Sequence, residues 1–344
     1  MKQARCRHTV SVIIPVHNGG ESFKRCLASV AEMTPPPAEV LVVLDGDPQG
    51  EAQVPPGMAT RVLSLPDRSG PARARNAGAR ASSGEVLLFV DADVVVPRDT
   101  VGRVDELFTQ EPDLTAVFGS YDDDPPRVNF LSQYKNLSHH YFHQRAPEEA
   151  STFWAGCGAI RRSAFLAAGG FDEGYGRPSV EDIELGYRLK RAGHRIRLCK
   201  SLQVKHLKLW TAGGLVKTEV LDRAVPWTRS ILRYRDVASG PNLLLSSRLS
   251  VVSAYGLVVT ALGALARRGS LAFAAGFLVV LLAANAPLYV FFWRRRGLLF
   301  ALQGMVWNWF YYLYGGVGFV IGLGLHVLKR GQPCEEELGP AQDV

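Results

Sequence analysis

The chain has 344 residues, 47% of them hydrophobic and 21% charged, and its 39 Lys and Arg against 32 Asp and Glu give a net charge of +7. That length exceeds the roughly 150 residues of an average domain, and the mean hydropathy of +0.03 blends a polar N-terminal part with an apolar C-terminal one. Five scattered cysteines (Cys6, Cys26, Cys157, Cys199, Cys334) with no CxxC pair exclude a disulfide framework and a zinc finger. The basic excess, at 188–217 and beside apolar segments, points away from nucleic acid and toward phosphorylated ligands and lipid headgroups.

The opening MKQARCRH is polar and basic and lacks the apolar stretch of a signal peptide, so the polar part is expected on the cytosolic side. From Val10 to about Ala116, short continuous apolar runs (VSVIIPV, EVLVVLDG, EVLLFVDADVVV) alternate with helix-capable segments (ESFKRCLASVAEM, GPARARNAGARASSG). Strands buried on both faces have this appearance, which predicts a doubly wound, mostly parallel α/β sheet. Ligands in such sheets bind beyond the carboxyl ends of the strands. His17, Asn18, Asp45, Asp91 and Asp93, each just past an apolar run, are therefore expected around one crevice.

Residues from Tyr121 to about Arg235 are less regular, with an acidic DDDPP, a helix candidate NFLSQYKNLSHHYFHQ and a Gly-rich WAGCGAI. The expected division is a nucleotide-side half at 1–118 and an acceptor-side half at 119–240. Within 241–330, Leu249–Ala266 and Leu271–Trp293 approach the ~20 apolar residues of a bilayer crossing and are bounded by arginines. Leu298–Leu328 opens rich in Trp and Tyr and ends rich in Gly, giving two to three transmembrane helices. The last residues, 331–344, are expected to be a disordered tail.

Asp91-Ala92-Asp93 ends the third apolar run. Two carboxylates at i, i+2 on a strand end can reach a hard cation that also contacts two phosphates. The bland alternative is a solvated turn. Just upstream, GPARARNAG sets a Gly- and Arg-rich helix start where Arg73 and Arg75 can approach phosphates and where Asn76 and Gly78 allow close packing. With these residues the chain resembles the family 2 glycosyltransferases of the GT-A fold, whose ARN-x-G helix and DxD-bearing strand are matched by Ala74, Arg75, Asn76, Gly78 and Asp91 to Asp93.

The resemblance runs through about the first 210 residues and implies roles for several of them. Pro15, Val16, Asn18, Asp45, Arg75, Asn76 and Asp91 would line the donor, with Asp45 reading the base although Leu44 replaces the first carboxylate of the usual Asp-Asp-Gly turn. Asp93 with His206 would hold a divalent metal, Mn2+ or Mg2+. Gly156, Cys157 and Gly158 would floor the acceptor site, and Trp210 is a candidate acceptor contact. The ED motif maps to Glu181 and Asp182, with Asp182 the better general base, since an acceptor hydroxyl attacking C1 must lose its proton to a nearby carboxylate. The alternative is that these acids only complement a helix N-terminus.

The implied activity is inverting transfer of a sugar from a nucleoside diphosphate sugar to a lipid-linked or membrane-embedded acceptor. The expected location is the cell (inner) membrane, with the catalytic part cytoplasmic. LDRAVPWTR loosely resembles a signature of processive polysaccharide synthases, with Trp227 read as an interface anchor, and His139, His140 and His143 as acceptor contacts or plain surface. Two rivals are a sugar nucleotidyltransferase, for which HNGGESFKR is a poor triphosphate loop, and a non-catalytic membrane scaffold.

Overall fold

The computed structural model describes residues 6–47, 54, 60–237, 244–264 and 270–330. Cys334, Arg267, Arg268, Pro241 and the expected tail at 331–344 lie outside the described residues. Strands β1 (Val10–Val16), β2 (Glu39–Asp45) and β4 (Val86–Val90) form where the apolar runs predict them, with helix α1 (Gly20–Ala31) after β1 and α2 (Pro71–Ala81) before β4. Alternate residues serve opposite faces. Val12, Ile14, Val42 and Leu88 join Phe23 and Leu27 of α1 in one core, while Ile13, Val43, Leu87 and Phe89 join Ala74 of α2 in another. A helix layer on each side is why these runs are continuously apolar.

The sheet has nine strands in the order β3-β2-β1-β4-β8-β6-β9-β5, with β7 paired to β9. Here β3 is Thr60–Leu65, β5 Val94–Val95, β6 Leu114–Tyr121, β7 Glu149–Ala150, β8 Cys157–Arg161 and β9 Arg195–His206. It is parallel through β3-β2-β1-β4, and β8 then runs antiparallel to both β4 and β6. One sheet thus continues across the expected 118/119 division. β3 was absent from the sequence reading: TRVLSL is a half-exposed edge strand without a continuous apolar run.

Gly78 shows why α2 sits so close to the sheet. A Cβ there would lie 2.5 Å from Ile13 Cγ2. Gly78→Val is expected to destabilise the protein by about 1–3 kcal/mol through overpacking, read as a lowered midpoint in thermal unfolding; an unchanged midpoint would show that the layers can separate freely.

Three C-terminal helices, α9 (Leu245–Ala264), α10 (Ser270–Arg296) and α11 (Leu298–Arg330), are each long and apolar enough to cross a membrane. Polar side chains inside the bundle bond one another: Asn285 Nδ2 donates to Ser250 Oγ at 2.8 Å, and Tyr312 OH donates to Asn285 Oδ1 at 2.7 Å. The end of α10 docks on the catalytic half, where Arg295 pairs with Asp123 at 2.7 Å. There Phe292 packs on Tyr134 of helix α4 (Phe130–Arg145).

Candidate active site

β4 delivers Asp91 to a turn that leads into the two-residue strand β5. Because β5 pairs with the end of β9, Val94 lies opposite His206, and Leu207 N donates to Asp93 O at 2.8 Å. The register brings Asp93 Oδ2 and His206 Nε2 to 3.4 Å. Burial opposes the charge on Asp93, yet His206 and then Lys208 hold its carboxyl below the ordinary carboxylate range. The His206 ring stacks on Tyr121 at 4.3 Å between centroids, which fixes its plane.

Arg75 of α2 does not reach outward. Its side chain is only 6% exposed, with Nη2 2.7 Å from Asp91 Oδ1 and Nη1 2.9 Å from Glu181 Oε1. Burial works against its charge, but Asp91 and Glu181 keep the guanidinium firmly protonated. Arg75 is therefore an internal clamp between the DAD turn and the start of α6 (Glu181–Arg191), not a free phosphate ligand. Glu181 is occupied likewise: its second oxygen accepts from Ser179 N at 2.8 Å, so this carboxylate is the buried counter-charge of Arg75.

Asp182 is different. Among the described residues its oxygens accept two backbone N–H groups, Ile183 N at 2.8 Å and Ala155 N at 3.2 Å, and form no ion pair. Burial and the neighbouring Glu181 carboxylate push it up to about 7, against the pull of Arg75. A carboxyl group in that range can take up a proton near neutrality. Glu184, on another face of α6, is engaged by Arg188 and by Tyr234 OH at 2.7 Å.

Several other expected contacts have structural partners instead. Asn76 is buried, its Oδ1 accepting from Phe171 N at 2.9 Å and its Nδ2 donating to Phe171 O at 2.8 Å, so it staples α2 to the turn at 169–173 (GGFDE) rather than meeting the donor. Both oxygens of Asp45 accept backbone N–H groups, Ser69 at 2.6 Å and Gly70 at 2.8 Å, which fixes the loop into α2 and leaves the carboxylate shielded. Val16 points into the core. Pro15 pairs with Val43 in the β1–β2 ladder. Asn18, exposed and with φ 56, turns the chain at the crevice mouth.

On the expected acceptor floor, Cys157 is buried in the core and cannot touch a ligand. Gly156 and Gly158 are small because aromatic rings fold over them: a Cβ would come 2.5 Å from Trp154 Cε2 at the first and 2.6 Å from Phe153 Cζ at the second. Trp210 is 5% exposed, tied by Ser132 Oγ to its backbone N at 2.8 Å and covered by Lys208 at 4.2 Å. It is not an open stacking platform. His139 and His143 are not plain surface either, since both pack on Trp154, and His140 bonds Tyr121 O at 2.8 Å.

Sequence reasoning missed Trp154, Lys208 and the charge that half-buried Arg223 brings near Asp182. Trp154 adjoins Ala155, which anchors Asp182, and meets Tyr121 edge-on at 4.8 Å; the small residues following FW were its available signal. Lys208 acts on Asp93 and Asp91, and Arg223 on Asp182. Trp227 donates to Tyr187 OH at 3.0 Å, within the catalytic half.

Whether a metal fits can be asked of these residues. Among the described residues no three His, Cys, Asp or Glu side chains converge on one point. The Asp93–His206 pair does offer two ligand atoms of suitable type side by side, and two protein donors fit a cation that takes its remaining ligands from phosphates and water.

The family model Glycosyl transferase family 2 matches residues 11–167. Glycosyltransferase AglE of Haloferax volcanii is 38% identical over 91 residues, covering 24% of this chain and 30% of that protein. The pre-mycofactocin glycosyltransferase of Mycobacterium tuberculosis is 28% identical over 199 residues, covering 55% of this chain and 40% of the relative. The chain thus spans well under half the length of these curated relatives. Among solved structures, a mannosyltransferase from Pyrobaculum calidifontis in complex with GDP-Man and Mn2+ superposes with a TM-score of 0.58 at 19% identity, over 91% of this chain and 87% of that one. That likeness gives the GT-A fold.

Proposed function

Since this chain is a family 2 glycosyltransferase, we propose that it moves a sugar from a nucleoside diphosphate sugar to a lipid-linked or membrane-embedded acceptor, with inversion at C1. One observation carries this reading: a single guanidinium, Arg75, holds the DAD turn at 2.7 Å and the ED turn at 2.9 Å, which keeps the segment bearing Asp93 beside the segment bearing Asp182.

Asp93 and His206 would hold Mn2+ or Mg2+, the metal also found with the Pyrobaculum enzyme being Mn2+. Such an ion, when bound, neutralises charge on the departing diphosphate. Lys208, exposed beside Asp93, adds a second positive charge on the same side, replacing the phosphate role that Arg75 cannot fill. Asp182 receives the proton of the acceptor hydroxyl, or orients it, as the bond to C1 forms and the bond to the diphosphate oxygen breaks. Trp154 offers an apolar wall beside that carboxylate.

The three apolar helices and the arginines at 294–296 support a place in the cell (inner) membrane with the catalytic half in the cytoplasm. The proposed division is a catalytic domain over 1–240 followed by the membrane region over 241–330.

Incubating the full chain with a panel of nucleotide sugars and Mn2+ or Mg2+ tests the proposal. Thermal stabilisation or slow hydrolysis by one sugar nucleotide is expected; no response to any would favour a scaffold without catalysis. His206→Ala should raise the metal concentration needed for half-maximal activity by about tenfold or more, whereas an unchanged metal titration would remove His206 from the metal site.

A further inference from the structure

By length and composition α11 can cross a bilayer, yet it is packed on the catalytic half along most of its course. Phe300 meets Phe130 with ring centroids 5.2 Å apart, and Tyr134 OH donates to Asn308 Oδ1 at 3.1 Å. Farther on, Gly318 and Gly322 face the π-helical turn Thr218–Ala224 and helix α8 (Val225–Arg233). A Cβ at Gly318 would lie 2.6 Å from Ala224 Cβ, and one at Gly322 would lie 2.8 Å from both Val225 O and Thr228 Cβ. The step of four residues is shared by both partners, so the two helices run side by side in the same direction. Glycines at this spacing let helix backbones approach closely.

At 1.5 Å per residue, Phe300 to Gly322 is about 33 Å, close to the ~30 Å of a bilayer's hydrocarbon core. An upright α11 would carry Gly322, and the segment beside it, to the far side of the membrane. That segment cannot follow, because it contains Glu219, Asp222, Arg223, Arg229 and Arg233, and charges are strongly disfavoured inside the bilayer. It is also fastened to the catalytic half: Lys135 pairs with Glu219 at 2.7 Å and Arg177 with Asp222 at 2.9 Å.

The opposite side of α11 is apolar. Leu302, Val306, Phe310, Val317, Val320 and Val327 are each more than 40% exposed and recur at helical spacing, and past Gly318 the exposed apolar surface widens to include Phe319 and Ile321. Contacts of α11 with α10 run through Leu281, Asn285, Tyr289 and Phe292, a rise of about 16 Å, so α11 follows α10 through the leaflet next to the catalytic half and not beyond it. Arg233, Arg235, Arg294 and Arg295 are exposed at the ends of α8 and α10, suited to anionic headgroups.

We infer that α11 makes no third crossing: it runs obliquely within the leaflet next to the catalytic half, its exposed 302–327 residues facing acyl chains. Only α9 and α10 span, and α11 ends on the catalytic side.

The test uses the full-length protein in oriented membrane vesicles, with protease-cleavable tags at the N-terminus, after Ala264 and at the C-terminus. Cleavage of both terminal tags from one side and of the middle tag from the other is expected. A C-terminal tag cut only together with the middle one overturns the inference. Spin labels at Leu302, Val317 and Val327 supply a second readout. All three should report depths within the leaflet next to the catalytic half, and a label at Val327 in the far leaflet would equally overturn it. Neither readout depends on donor or acceptor identity.

Discussion

Asp182→Asn is expected to lower the rate of transfer to a hydroxyl acceptor by about 10²–10⁴-fold while leaving nucleotide-sugar binding near its original strength. The amide preserves shape but cannot accept the acceptor's proton. Its location makes the variant informative, since among the described residues the carboxylate is held by two backbone N–H groups and by no ion pair. The pH profile should carry the same signature. With Asp182 held at about 7 and active only when ionised, kcat/KM should rise about tenfold per pH unit below that value and level off above it. Asp182→Asn should flatten this limb. Unchanged turnover on a hydroxyl acceptor would remove the base assignment. A phosphate acceptor, already anionic, should be far less sensitive to the substitution.

Arg75→Met should damage folding more than any other single change at the site. Removing the guanidinium leaves Asp91 and the almost fully buried Glu181 facing each other without a counter-charge. Breaking a buried pair in this way costs about 3–5 kcal/mol, enough to lower the thermal midpoint by many degrees or to abolish expression. Arg75→Lys should rescue little, because one ammonium cannot bridge two carboxylates at 2.7 and 2.9 Å as a planar fork does. A variant that melts normally but fails to bind nucleotide sugar would overturn the clamp and restore Arg75 as a donor ligand.

What the sequence made legible follows from how each residue is used. Strands buried between two helix layers announce themselves as unbroken apolar runs, so β1, β2 and β4 were readable and edge strand β3 was not. Asp93 and His206 were readable as a pair only through the resemblance, as 113 residues separate them and the two-residue strand opposite His206 joins them. Motif residues proved harder to apportion. Arg75, Asn76 and Asp45 sit in a recognisable pattern, but a pattern does not tell whether a side chain faces a ligand or another part of the backbone. All three turned out to be gripped by protein, Asp45 and Asn76 through both polar atoms of the side chain and Arg75 through its two terminal nitrogens. Lys208 and Trp154 belong to no such pattern and needed the fold to bring them to the crevice.

Arg75 and Asn76 are neighbours on one helix, and both grip residues about 100 positions downstream, Glu181 and Phe171. The donor side and the acceptor side are therefore not interchangeable cassettes. A chimaera that joins the first 118 residues of this chain to the remainder of a relative would separate each grip from its partner unless both segments match. Attempts to redirect acceptor choice should transplant the 70–80 and 170–182 segments as one inherited unit.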